Sequence, residues 1–201
     1  MVGESVVSKG APGSTDDSGN ARFAINLFIV AEIMFFGALV GMYIVLRLGA
    51  RTWKPEGFSE LAMGLPLSNL AVLVLSGFFI LLASRALRRE DPIGLVSWLC
   101  LTLVSGGVFF GIQLREFSRL IAQELPVENI FGTVFYSMAG LHGLHVVGGV
   151  FLLSYVIIQA IRGKYHQHRR IGVDLALYYW LMVVLVWVFF FGILYILYES
   201  L

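Results

Sequence analysis

The chain has 201 residues, of which 58% are apolar and only 13% are charged, and its mean hydropathy is +0.84. A soluble domain needs far more polar surface, so this composition excludes an ordinary soluble globular protein. The net charge of +1 provides no overall attraction to nucleic acid. The single cysteine, Cys100, lies in an apolar run and has no second cysteine for an internal disulfide.

Residues 1–22 differ from the rest of the chain. They are polar, small and rich in Gly, Ser and Asp, and they contain no apolar core of signal-peptide length. Such a composition buries too little apolar surface to offset the entropy of ordering. We therefore predict a flexible polar tail over 1–22 and a membrane domain over 23–201.

Five apolar stretches follow the tail, and each has at least the ~20 residues that a helix needs to cross ~30 Å of hydrocarbon. They run over approximately 23–48, 65–87, 93–117, 130–161 and 173–198. They lack the alternation of barrel strands and are too long for them. The sequence therefore predicts an all-α, polytopic bundle of five transmembrane helices, in which the long fourth helix is tilted or extends past the interface.

The distribution of Lys and Arg predicts the orientation, because cytoplasmic segments carry an excess of basic residues. One side carries nine: Lys9, Arg22, Arg85, Arg88, Arg89, Arg162, Lys164, Arg169 and Arg170. The other side carries five: Arg47, Arg51, Lys54, Arg115 and Arg119. This bias favours a cytoplasmic N-terminus and an external C-terminus.

Glu32 is the only acidic residue deep within any of the five spans. An ionised carboxylate at that depth costs ~2.5–3.5 kcal/mol on insertion scales, so we expect Glu32 to be protonated, paired or both. One interpretation is a proton-linked or lipid-contacting group. The other is a neutral residue that hydrogen-bonds to a neighbouring helix. Among the residues of the fourth span, we expect His145, and then His142, to be its partner.

His142 and His145 are three residues apart and therefore share one face of the fourth helix. Two histidines at this spacing could hold a metal, but no third or fourth ligand stands out in the sequence. Hydrogen bonding and packing between helices is the favoured interpretation. Glycines at helical spacing also predict close helix packing, at Gly37 and Gly41, Gly107 and Gly111, and Gly149.

Four short motifs occur in order along the spans. Span one contains Ala31–Phe36 (AEIMFF), and span two opens with Leu65–Asn69 (LPLSN). Span three ends in Gln113–Phe117 (QLREF), and span four contains Gly140–Val146 (GLHGLHV). In this order they resemble the motifs of subunit III of the haem–copper terminal oxidases, which occurs with seven helices or, as here, with five.

Span five departs from that resemblance. The family pattern Tyr-Trp-His-Phe-Val-Asp-x-Val-Trp aligns with Tyr179–Trp187, where Leu181 replaces the His and Val184 replaces the Asp. The Tyr and Trp frame, including Trp180, is retained. The resemblance therefore does not imply the roles that depend on these two polar groups, which include some of the lipid head-group contacts.

The resemblance implies a non-catalytic accessory subunit. Such a subunit packs on the catalytic oxidase subunit I, binds phospholipid and supports proton uptake and stability during oxygen reduction, while haem and copper reside in partner subunits. It also implies that Glu32, His142, His145 and Trp180 are proton-linked or lipid-contacting, and the family Glu that matches Glu32 is described as reactive toward hydrophobic carbodiimides. The expected location is the cell (inner) membrane of a prokaryote.

Three other functions compete with this one. A small proton-coupled transporter could use Glu32, although the sequence has neither internal repeats nor mid-membrane Gly/Pro interruptions. A membrane metalloenzyme could use His142 and His145 but lacks further ligands. A subunit III-like protein of a nitric oxide reductase would fit the changes at Leu181 and Val184. Co-purification with a haem-containing complex would separate the oxidase interpretation from the first two.

Overall fold

A computed structural model describes residues 14–53, 63–122, 125, 128–166 and 170–196. It contains five α-helices: α1 (Ser14–Gly49), α2 (Gly64–Arg88), α3 (Pro92–Ala122), α4 (Ile130–Ile161) and α5 (Ile171–Phe191). A π-helical turn over Gly192–Ile196 extends α5. All five helices are long and apolar enough to cross a membrane. The predicted all-α bundle of five membrane helices is confirmed, and α4 has the bounds predicted from the sequence.

The predicted polar tail is only partly described. Residues 1–13 lie outside the described part of the chain, and α1 begins at Ser14, within the segment assigned to the tail. The apolar portion of α1 starts at Phe23, as the sequence predicts. The last residues assigned to span five, beyond Ile196, also lie outside the described residues.

Local sequence signals account for several helix ends. Pro92 occupies the first position of α3, where its missing N–H leaves no hydrogen bond unmade. The preceding Asp91 accepts a hydrogen bond from the Gly94 backbone N–H at 2.9 Å. Asn129 caps α4, and its Oδ1 accepts from the Phe131 backbone N–H at 2.8 Å. Such caps satisfy N–H groups that the first helical turn leaves free.

The bundle core consists of α2, α3, α4 and α5. The α2–α3 pair is the most extensively packed, and α5 packs against both α2 and α4. Helix α1 lies at the periphery, where it packs chiefly on α5 and α4, and most of its apolar side chains are exposed, for example Phe23 and Met34. In a membrane such surface faces lipid or another protein.

Trp180 lies at the centre of this core and is fully buried. Its indole Nε1–H donates a hydrogen bond to Ser76 Oγ of α2 at 2.9 Å. A Cβ atom built on Gly106 of α3 would lie 2.5 Å from the indole ring, and one built on Gly149 of α4 would lie 2.7 Å from it. Glycine is therefore required at both positions for the three helices to enclose the ring.

The predicted packing glycines fall into two groups. Gly149 contacts Trp180 within the bundle. A Cβ atom built on the other four, namely Gly37, Gly41, Gly107 and Gly111, would meet nothing within 4 Å. These four glycines therefore make no close helix contact within the described chain, because they lie on outward faces of α1 and α3.

Candidate functional site

Glu32 lies on α1 where that helix passes α4. Its Oε2 atom is 3.0 Å from Nε2 of His145, and the two side chains are 15% and 19% exposed. This is the pairing predicted from the sequence. The contact is a close approach and not an aligned hydrogen bond, because Oε2 has no hydrogen-bond partner among the described residues. A polar pair therefore lies at the edge of the bundle, partly open to the surrounding membrane.

The contacts of His145 restrict where its protons lie. Its Nδ1 atom is 2.8 Å from the carbonyl oxygen of Leu141, one turn earlier in α4. A carbonyl oxygen only accepts hydrogen bonds, so Nδ1 carries a proton and Nε2 faces the carboxyl group. The pair is then either a neutral carboxyl beside a neutral imidazole or a carboxylate beside an imidazolium. Both forms have no net charge, which reduces the cost of placing two ionisable groups in an apolar medium.

Aromatic rings surround the pair. The rings of Phe36 and His145 have centroids 4.8 Å apart, and those of Phe35 and His145 are 5.7 Å apart. On the side facing α5, a small open cavity is lined by Phe28, Glu32, Leu144, His145 and Tyr179. Water is scarce in such surroundings, so a proton held by the pair has few competing acceptors.

His142 does not join the pair. It is fully buried and stacks on Trp187 with a centroid distance of 4.8 Å. Phe109 and Phe190 approach the same ring at 5.9 and 6.3 Å. Among the described residues, neither ring nitrogen of His142 has a hydrogen-bond partner. The three-residue spacing places both histidines toward neighbouring helices, but only His145 meets Glu32.

Trp180 is the fourth residue that the resemblance implicates in proton or lipid contacts. Its burial between α2, α3 and α4 leaves no surface on its side chain for lipid. The reason is the pair of glycines that admit the indole into the core. Trp180 is therefore a core residue of this bundle, hydrogen-bonded to Ser76, and its direct contact with lipid is excluded within the described structure.

The two positions at which span five departs from the family pattern also lie toward the core. Val184 is buried and Leu181 is partly buried. A Cβ atom built on Gly77 of α2 would lie 3.3 Å from Val184 and 3.8 Å from Leu181. In this chain the α2–α5 contact is therefore apolar at both positions.

Two cavities lie along the groove between α1 and α5. One is almost entirely apolar and is lined by Ile33, Phe36, Val40, Leu185 and Phe189, among others. Toward the start of α5 a second, more polar cavity is lined by residues that include Asn26, Arg170 and Asp174. Arg170 Nε lies 3.2 Å from Asp174 Oδ2 in that cavity. The two cavities together offer a charged end and an apolar length on one side of the protein.

A second polar cluster lies between α2 and α3. Asn69 Nδ2–H donates to Gln113 Oε1 at 3.1 Å, and Arg119 forms an ion pair with the buried Glu116. The sequence motifs contain Asn69, Gln113 and Glu116 but do not predict these contacts. The periodicity of polar residues on the two helices is the signal that could have indicated them.

No three His, Cys, Asp or Glu side chains come together at metal-binding distance within the part of the chain that the structure describes. His142 and His145 share a helix, but their rings point to different surroundings, one to Trp187 and one to Glu32. The arrangement suits the holding and exchange of a proton between Glu32 and His145. It has no set of donors for a metal among these residues.

Comparison with known proteins adds a family assignment. The sequence model of the family described as cytochrome c oxidase subunit III matches residues 9–199. A cytochrome c oxidase subunit 3 from Thermostichus vulcanus is 36% identical over 172 residues, which cover 85% of this chain and 84% of the relative. A cytochrome c oxidase subunit 3 from a Synechocystis species is 34% identical over 87% of this chain and 75% of the relative. A probable cytochrome c oxidase subunit 3 from Nocardia farcinica is 33% identical over 84% of both chains.

Proposed function

This chain belongs to the cytochrome c oxidase subunit III family, and from that premise we propose that it is a non-catalytic accessory subunit of a respiratory haem–copper oxidase. It packs on the catalytic subunit I. The haem and copper are held by subunit I and other partner subunits. The observation that carries the proposal is the Glu32–His145 pair, a proton-holding group at the edge of a membrane bundle. The location proposed is the cell membrane of a prokaryote, with the N-terminus in the cytoplasm.

The pair supports a role in sustained proton uptake. A carboxyl and an imidazole that together hold one exchangeable proton can pass it between them without a net charge. Release of that proton toward the catalytic subunit leaves one negative charge on the pair until another proton is taken up. The Glu32 side chain is 15% exposed at the bundle surface, while its Oε2 atom, which faces His145, is buried. We propose that the pair supports the proton supply of the catalytic subunit during turnover. Haem and copper chemistry takes place outside this chain.

The α1–α5 groove supports phospholipid binding. Its apolar length, lined by residues such as Ile33 and Phe189, suits acyl chains. Its charged end, where Arg170 and Asp174 lie, suits a head group. The Glu32–His145 pair is not among the residues that line either cavity, so we propose lipid binding separately from the proton-linked role.

The proposal is tested on the oxidase purified from its native membrane. Co-purification of this chain with a haem-containing complex is expected. Glu32→Ala should leave haem content and the initial rate of oxygen reduction near the wild-type values but accelerate the loss of activity during turnover. Glu128→Ala is the matched control, because Glu128 is an exposed acid in the α3–α4 connection. Loss of haem from an assembled Glu32→Ala complex, or turnover as sustained as in wild type, would contradict the proposal.

The apolar contact of Leu181 and Val184 with Gly77 favours one second candidate. In that case the chain would be a divergent, subunit III-like protein of a nitric oxide reductase. Its parent complex would reduce nitric oxide instead of oxygen. A reduced-minus-oxidised spectrum and the rates of oxygen and nitric oxide consumption by the purified complex would distinguish the two.

A further inference from the structure

Tyr179 of α5 hydrogen-bonds to the backbone of His145. Among the described residues, no other side chain from a neighbouring helix does so. Its hydroxyl donates to the His145 carbonyl oxygen at 2.8 Å. In an α-helix that carbonyl also accepts from the N–H four residues later, which a carbonyl can do because it has two lone pairs. The phenol therefore adds a second hydrogen bond at the turn of α4 that carries His145.

Two adjacent glycines on α4 make this approach possible. A Cβ atom built on Gly148 would lie 3.1 Å from the Tyr179 hydroxyl oxygen, and one built on Gly149 would lie 3.0 Å from Cε1 of the same ring. Both distances are shorter than ordinary van der Waals contacts, so a side chain at either position would displace the phenol. The missing side chains of Gly148 and Gly149 thus leave room for the Tyr179 ring, and Gly149 also leaves room for Trp180.

Tyr179 also contacts α1 next to the carboxyl group. Its ring stacks on Phe28 with a centroid distance of 5.9 Å and an interplanar angle of 22°. Phe28 lies one helical turn before Glu32, on the same face of α1. The phenol therefore touches α1 through Phe28 and α4 through His145, and it lines the same small cavity as both members of the pair.

We propose that Tyr179 is a positioning residue that holds His145 and Glu32 against each other. The proposal deepens the proposed function, because it takes the Glu32–His145 pair as the proton-holding site. His145 is fixed at two atoms, at Nδ1 by the Leu141 carbonyl and at its own carbonyl by Tyr179. With both contacts in place, Nε2 faces the Glu32 carboxyl. Without the hydroxyl, the Tyr179 ring would still contact Phe28 of α1, but it would no longer be hydrogen-bonded to the turn of α4 that carries His145.

The test measures how fast a hydrophobic carbodiimide modifies Glu32 in the assembled oxidase in membranes. Such reagents modify protonated carboxyl groups in apolar surroundings, and pairing with His145 competes with that reaction. Tyr179→Phe keeps the ring on Phe28 and removes only the hydroxyl. We expect it to raise the rate of Glu32 labelling about fivefold, as the loss of one net hydrogen bond predicts. Tyr155→Phe is the matched control, since Tyr155 is an exposed tyrosine of α4 that lines neither the cavity at Glu32 nor the two cavities between α1 and α5, and it should label at the wild-type rate.

A second comparison separates positioning from general loosening of the bundle. His145→Leu should raise the labelling rate by itself. If Tyr179 acts through His145, adding Tyr179→Phe to His145→Leu should cause no further increase. Rate increases that multiply in the double variant would overturn the proposal, and so would a wild-type labelling rate in Tyr179→Phe.

If Tyr179→Phe does not assemble, Gly148→Ala tests the same contact from the other side. Its methyl group would press on the phenol oxygen, so it should also raise labelling of Glu32. Gly140→Ala is its control, because a Cβ atom there meets nothing within 4 Å. Wild-type labelling in Gly148→Ala would overturn the proposal. The proposed function is tested separately, by the loss of activity of Glu32→Ala during turnover. A failure of that function can therefore be distinguished from a failure of the positioning role of Tyr179.

Discussion

His145 on the fourth helix and Glu32 on the first lie 3.0 Å apart, and their contact joins the peripheral helix to the bundle core. Most of the surface of α1 is exposed and apolar, so this contact is one of few specific features that fix the depth and rotation of α1. A carboxyl and an imidazole attract each other strongly at this distance, because the surrounding medium offers few alternative polar partners. The pair therefore has a structural role as well as the proton-linked role proposed for it.

Glu32 should be the preferred target of a hydrophobic carbodiimide in this chain. The reagent partitions into the membrane, and Glu32 lines a cavity at the bundle edge together with Phe28 and Leu144. Peptide mapping after limited labelling is expected to place the modification at Glu32. Exposed acids outside the spans, such as Glu90 and Glu128, serve as internal controls. Labelling found only at those acids would contradict this account of Glu32.

Ser76→Ala should destabilise the bundle. It removes the acceptor of the Trp180 indole N–H, and an unpaired buried donor costs about 1–3 kcal/mol. The measurement is the midpoint of thermal unfolding of the purified complex, which should fall. Ser105→Ala is the control, because the Ser105 hydroxyl bonds only to the carbonyl of Leu101 in its own helix. Equal midpoints for both variants would mean that the Trp180–Ser76 bond contributes nothing measurable.

Gly149→Ala and Gly107→Ala should have opposite effects on bundle stability. A methyl group at Gly149 would overlap the Trp180 ring, and such overpacking costs about 1–3 kcal/mol. At Gly107 the methyl group meets open space, and alanine is the better helix former by up to ~1 kcal/mol. The unfolding midpoint of the isolated subunit should fall for the first variant and stay level or rise for the second.

The open face of α3 at Gly107 and Gly111 bears on assembly. If this face packs on another subunit, Gly107→Leu should weaken retention of this chain in the purified complex. The isolated subunit should be unaffected. Full retention of the Gly107→Leu variant would show that this face meets lipid instead.

The two chain ends should lie on opposite sides of the membrane. Five spans require this, and the nine-to-five excess of basic residues on one side predicts a cytoplasmic N-terminus. Reporters fused before Met1 and after Leu201 measure the side of the membrane on which each end lies. One type of reporter is active only inside the cell, and the other is active only outside. Both ends on the same side would contradict the span count, and the reverse arrangement would contradict the charge argument.

The sequence by itself determined the class of structure and the family. Runs of more than ~20 apolar residues identify membrane helices without reference to any partner, because backbone hydrogen bonds within each helix satisfy the polar groups of that segment. Pro92 and Asn129 mark helix starts for equally local reasons. The cost of a charge in hydrocarbon singled out Glu32, and the helical period placed His142 and His145 on one face.

Only the tertiary structure decided what those faces meet. The period of a helix tells which residues share a face, but the rotation and depth of each helix depend on side-chain packing against helices distant in the sequence. That packing brought His145, and not His142, to Glu32. It enclosed Trp180 between Gly106 and Gly149, and it left Gly37 and Gly107 on open faces, although all four glycines look equivalent as members of an apolar helix.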